Sequence, residues 1–146
     1  MKKYSADELF KIAYSHLQKK EFVKSANLFE KLLKDYPDNL SLLRNISHAY
    51  AFSGAYKKAE ESIKKMIKIK PDEPFAYQFL ASVLKSQDKI TEMIKIVNEG
   101  LEKNLINKKW EFQKKLLSPL IAGDKKEIDD YRKKIEKGLQ EIISSD

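Results

Sequence analysis

An all-α solenoid of paired amphipathic helices is the fold class this sequence predicts, and three observations predict it. Only 4 Gly and 4 Pro stand among 146 residues, while Lys, Leu, Ile, Glu and Ala dominate, which is the composition of helices joined by short turns. The segments Asp35-Tyr36-Pro37-Asp38 and Ile69-Lys70-Pro71-Asp72 align with their prolines 34 residues apart, and a fixed period of that length marks stacked helical repeats. Within each period, apolar residues recur at i, i+3, i+4 and i+7, the spacing of one helix face.

The elements follow in order. Ser5 with Glu8 forms a capping box that opens the first helix. Its inward face is Leu9, Ile12, Ala13 and His16, with His16 standing in for an aromatic residue. The second helix of the unit carries Phe22, Ser25, Ala26, Phe29, Leu32 and Leu33 and closes at Pro37. The second unit repeats this arrangement with Leu43, Ile46, Ser47 and Tyr50, a turn at Gly54, then Tyr56, Ala59, Glu60, Ile63, Met66 and Ile67 before Pro71. The third supplies Tyr77, Leu80, Ala81 and Leu84, then Ile90, Met93, Ile94, Val97, Gly100 and Leu101, with Leu105 where the closing proline would stand. Proline cannot continue a helix but suits its first turn, so the Pro37 and Lys70-Pro71-Asp72-Glu73-Pro74 segments end one helix and start the next.

This pattern resembles the tetratricopeptide repeat family, over roughly residues 6 to 105. The unit from Leu43 to Pro71 is the nearest copy of the family's pattern. The departures are Lys20 in the place of the turn glycine, Ser25 in the place of the closely packed alanine, and Met93 at that same small-residue position. A bulkier Met93 predicts a slightly opened helix pair. The resemblance implies a right-handed superhelical solenoid of antiparallel helix pairs in one domain, 1–146, with repeats at 6–38, 39–72 and 73–106 and capping helices over 107–146. Two helices are predicted beyond the repeats, 108–117 and from Asp124 to about Ile143, punctuated by Ser118-Pro119 and Gly123, with Asp124 and Glu127 as a second capping pair. Ile128, Tyr131, Ile135, Leu139 and Ile142 form one apolar stripe that would seal the stack, and Trp110 and Phe112 would pack this hairpin onto the third unit.

Several function classes are excluded or made remote by composition. There is no cysteine, hence no thiol nucleophile, disulfide or thiolate metal site, and His16 and His48 are the two histidines. No Gly-rich phosphate loop, paired-histidine metal helix or nucleophile elbow occurs, and Asp129-Asp130 reads as a solvated helix face. The chain reads as no enzyme and as needing no cofactor. Net charge is +7, but 27 of the 29 basic residues are lysine, interleaved with 22 acidic residues. Nucleic-acid readers lean on arginine forks, so nucleic acid is an unfavoured partner. No signal peptide or membrane span is legible, and the expected location is cytoplasmic.

The resemblance implies a concave surface lined by the first helix of each pair, where extended peptides or partner helices lie in this family. Setting aside the residues that pack between helices leaves Phe10, Tyr14, Leu17 and Gln18 in unit one, Arg44, Asn45, His48 and Phe52 in unit two, and Gln78, Ser82, Lys85 and Ser86 in unit three. Arg44 and Lys85 suit an acidic or carboxylate-bearing portion of a ligand, and the aromatic residues suit an apolar anchor. A structural alternative for Arg44 is an ion pair with Asp7, Glu8 or a helix C-terminus. Members that grip acidic chaperone tails use a carboxylate clamp, and the corresponding positions here are Phe10, Tyr14, Asn45, Phe75 and Phe79, of which Asn45 alone fits. The expected ligand is therefore more hydrophobic. The leading expectation is a protein-binding adaptor, scaffold or chaperone-like module. The alternatives are a structural subunit that assembles through its ends or convex face, as a homo-oligomer or within a complex, and, more remotely, lysine-mediated docking to an anionic surface.

Overall fold

The computed structural model describes residues 4–107, 109–111, 113 and 125–144. The helices are α1 (Ala6–Gln18), α2 (Phe22–Asp35), α3 (Leu40–Phe52), α4 (Tyr56–Ile69), α5 (Pro74–Ser86), α6 (Ile90–Glu102) and α7 (Lys125–Ile143). From α1 to α6 each helix packs on the next, within the pairs α1–α2, α3–α4 and α5–α6 and between them at α2–α3 and α4–α5. The chain is an all-helical solenoid of antiparallel pairs, as the sequence predicts.

Local chemistry sets the ends. Ser5 and Glu8 form the reciprocal capping box on α1, Asn39 caps α3 by accepting from the Leu42 N–H at 3.0 Å, and Pro74 lies in the first turn of α5. The turns inside the three pairs are copies of one another. Lys20, Gly54 and Asp88 all have positive φ, at 61°, 82° and 56°. Each donates its N–H back to the helix (Lys20 to Leu17, Gly54 to Ala51, Asp88 to Lys85), and the next residue donates to a carbonyl five back: Glu21 to His16, Ala55 to Tyr50, Lys89 to Leu84. This double closure is the left-handed helix cap that favours glycine. Asn104, with φ of 56°, makes the same closure after α6, where Leu105 donates to Gly100. That cap ends the third unit without a proline.

A left-handed conformation costs a side-chain-bearing residue energy that glycine avoids. Lys20→Gly and Asp88→Gly are accordingly expected to stabilise the chain by about 0.5 kcal/mol each, and Gly54→Ala to destabilise it by about 1 kcal/mol. Thermal melts of the three variants check the order.

The core runs through Phe29, Ile46, Ile63, Tyr77, Leu80 and Val97, all with at most 1% exposure. Ser25 is fully buried at the close approach of α1 and α2, and its hydroxyl donates to the Ala13 carbonyl at 2.8 Å. Serine replaces alanine there at little cost because its polar atom is satisfied. Met93 is fully buried between α5 and α6. Past α6 the chain folds back so tightly that a Cβ on Gly100 would stand 2.5 Å from the Ile106 side chain.

Trp110 packs at the edge of this core. Residues 109–111 are helical; Phe112 and most of the predicted 108–117 helix lie outside the described residues, as do the Ser118-Pro119 and Gly123 breaks. The last helix begins at Lys125, one residue after the predicted start, and the Asp124–Glu127 cap and the side chains of Ile128, Tyr131 and Ile142 are outside the described set. Of the stripe, Ile135 is half-buried while Leu139 is 42% exposed.

Candidate functional site

The first helices α1, α3 and α5 supply the candidate face. On α1, Phe10 is half-buried and sets its edge against the core ring of Phe29 at 5.6 Å. Tyr14, 44% exposed, stacks on Phe10 at 6.3 Å with the planes 6° apart. Phe10 is thus fixed from behind and holds Tyr14 outward. Leu17 is half-buried and Gln18 exposed at the end of the same helix. Phe10 also borders a crevice of about 290 Å³ between α1 and the start of α3, with Leu32, Tyr36 and Leu42.

Between α3 and α5 the rings converge on His48. Its imidazole meets Phe79 at 4.6 Å and Phe75 at 5.2 Å, both edge-to-face, and Phe52 at 6.0 Å. Phe75 and Phe79 stack at 5.2 Å, one helical turn apart on α5. At the other end Phe52 stacks on Phe22 of α2 at 5.3 Å and is still 63% exposed. Five rings from three helices therefore form one continuous ladder, Phe22, Phe52, His48, Phe79, Phe75. Burial lowers the His48 pKa from its ordinary value and the Arg44 charge adds to this, so the imidazole is neutral at neutral pH and behaves as one more ring.

Phe75 and Phe79 are the residues that the predicted ligand face omits. Their alignment with the clamp positions, which implies a more hydrophobic ligand, was the available signal. The Arg44 guanidinium caps the ladder 4.1 Å above the Phe75 ring and pairs with Glu73 at 3.3 Å. The structural ion pair offered as the alternative for Arg44 is thus present, with Glu73 in place of Asp7, Glu8 or a helix C-terminus. Glu73 also takes Lys70 at 3.0 Å. Asn45 is turned toward its own helix, donating to the Ser41 carbonyl at 2.8 Å.

The unit-three residues stand apart from the rings. Gln78 donates to the Leu105 carbonyl at 3.4 Å, Ser82 to the Gln78 carbonyl and Ser86 to the Ser82 carbonyl. With Lys85, Lys109 and Trp110 these three line a cavity of about 610 Å³ between α5 and the segment after α6. Most of the twelve residues grouped in the sequence thus fall into three sets, the Phe10–Tyr14 stack, the His48 ladder with Arg44 and the α5 cavity, while Leu17, Gln18 and Asn45 join none of them. Among the described residues no cluster of His, Asp or Glu is placed to hold a metal ion, and no helix is long and apolar enough to cross a membrane.

No curated protein sequence matches the chain. Solved structures resemble it in fold. The Sgt2 TPR domain from Aspergillus fumigatus is 19% identical with a TM-score of 0.61, covering 96% of this chain and 80% of that one. MamA 41-end from Desulfovibrio magneticus RS-1 is 13% identical with a TM-score of 0.72, covering 97% and 78%. The TPR2AB domain of yeast Sti1, solved as a complex with pHSP90, is 16% identical with a TM-score of 0.62, covering 68% of this chain and 38% of that one. Residues 16–86 match the family model described as tetratricopeptide repeat. The repeated turns, the stacked helix pairs and this match over residues 16–86 together give the chain a tetratricopeptide-repeat fold.

Proposed function

We propose that the chain is a protein-interaction module that holds an extended peptide or partner helix across α1, α3 and α5, with a bulky apolar side chain of the ligand seated on the His48 ladder. The observation that carries this reading is Phe52, 63% exposed between Phe22 and His48 in a five-ring cluster. Contiguous exposed apolar surface on a water-soluble face marks an interaction site, and rigid aromatic residues are the usual anchors of such sites. Tyr14 adds a second outward ring on α1. A fold neighbour, the Sti1 domain, is a complex with pHSP90, which supports ligand holding by this architecture. Its resemblance stops at the fold, and with aromatic residues at four of the five clamp positions an acidic tail alone would find too few cations here.

The test is selection of a random displayed-peptide library on the immobilised chain, beside a Tyr14→Ala, Phe52→Ala double variant shown by circular dichroism to be equally helical. Wild type is expected to enrich peptides with a bulky aromatic or aliphatic residue, and the double variant to lose them. No enrichment on wild type, or equal enrichment on both, would sink the reading and shift attention to assembly through the ends or convex face, which sedimentation would register.

A further inference from the structure

Two lysines, Lys85 and Lys109, line the cavity between α5 and the segment after α6. Neither has a carboxylate within ion-pair distance among the described residues, and no described Asp or Glu lines the cavity they share with Trp110, Ser82 and Ser86. Two ammonium groups without a carboxylate partner in a concave site favour an anion. The cavity lies on the same helix as the aromatic ladder: Lys85 follows Phe79 by six residues, roughly 9 Å along the axis.

We infer that this cavity is a second subsite for the ligand of the aromatic ladder, one that takes an Asp or Glu side chain about three or more residues of extended peptide away from the apolar anchor. It rests on the interaction-module reading and gives the ligand two chemistries in fixed order, apolar over α3–α5 and acidic toward α6. Arg44 is not the acceptor of that acid, because Glu73 already pairs with it. A peptide is favoured over a nucleic acid because the cavity offers two cations and continues from an apolar cluster, whereas a phosphate backbone needs a run of cations to bind.

The experiment selects the random peptide library on the full chain and on a Lys85→Gln, Lys109→Gln variant. Peptides from wild type are expected to carry Asp or Glu at a constant separation from the bulky residue. The variant is expected to keep the bulky residue and lose the acid, and to bind wild-type-selected peptides roughly tenfold more weakly at low salt. Trp110 is the only tryptophan, so its emission reports the cavity directly: it is expected to shift with an acidic peptide and not with that peptide's Asn or Gln counterpart. Apolar peptides without acid on wild type, or acid enriched equally by the variant, overturns the subsite and leaves the module reading standing. No enriched peptide on wild type overturns both. A fluorescent single-stranded oligonucleotide that wild type binds and the variant releases overturns the subsite in favour of nucleic acid.

Discussion

Replacing Glu60 by alanine is expected to lower the stability of the chain by about 2 kcal/mol and its melting temperature by about 5 °C. Glu60 lies on α4 with 9% of its side chain exposed. One carboxylate oxygen takes Lys64 at 2.6 Å; the other takes Lys89 at 2.8 Å and the Gln87 amide at 3.0 Å. Gln87 and Lys89 flank the left-handed turn at Asp88, so this one side chain ties the second pair to the turn of the third. Burial alone would raise the carboxyl pKa, but the bonds from Lys64, Lys89 and Gln87 outweigh it and hold the group at about 2. A fall from 4.5 to about 2 sets a ceiling of roughly 3 kcal/mol, at about 1.4 kcal/mol per pH unit. The partial exposure of both lysines reduces that to the figure given.

The sign of the pH dependence follows. The folded pKa is below the unfolded one, so the stabilisation is complete above pH 4.5 and is lost as pH falls from 4.5 toward 2. Glu21, also drawn down to about 2, chiefly by Lys24 and then by His16, titrates in the same window. Melts at pH 6 and pH 3 are therefore expected to converge partly between wild type and Glu60→Ala. Equal melting temperatures at pH 6 would show that the brace contributes nothing.

Much of the fold was legible because its determinants are local and periodic. Proline spacing, the Ser5–Glu8 cap and the apolar i, i+3, i+4 sets each act within a few residues, and α1 to α6 fall where those signals put them. The turns were less legible. Gly54 announces a left-handed residue, whereas Lys20 and Asp88 adopt the same conformation because the tertiary packing of each pair demands it. Asn104 carried a usable signal, since asparagine tolerates that conformation best after glycine, and it explains how the third unit closes with leucine at 105.

The candidate face was legible only by subtraction, which finds exposed positions but not pairings. Glu60 stands at the repeat position of Ala26, but its partners at 87 and 89 become neighbours only when the third pair stacks on the second. Glu73 was not among the partners offered for a structural ion pair of Arg44 for the same reason, because it stands 29 residues away across two turns. Phe75 and Phe79 enter the sequence reading only through the clamp alignment, since hydrophobicity alone does not separate a ring that packs between helices from one that bridges neighbouring first helices at the surface.

Those two rings support the second large effect. Phe79→Ala is expected to weaken binding of any peptide selected on the aromatic ladder by roughly a hundredfold, the loss typical of a central interface anchor. The ring holds His48 at 4.6 Å and Phe75 at 5.2 Å, so its removal leaves the imidazole without its nearest aromatic support and opens the middle of the ladder. Because Phe79 is only half-buried, the stability cost should stay near about 2 kcal/mol, below that of a core phenylalanine. Phe79→Leu separates the two effects. It restores most of the volume and should recover stability to within about 1 kcal/mol, yet it lacks the ring face on which the imidazole edge rests, so binding should remain roughly tenfold weaker than wild type. Full recovery of binding by leucine would mean that the anchor reads apolar area and not ring geometry. Unchanged binding in the alanine variant would mean that the ligand does not touch the ladder at all, whatever else holds it.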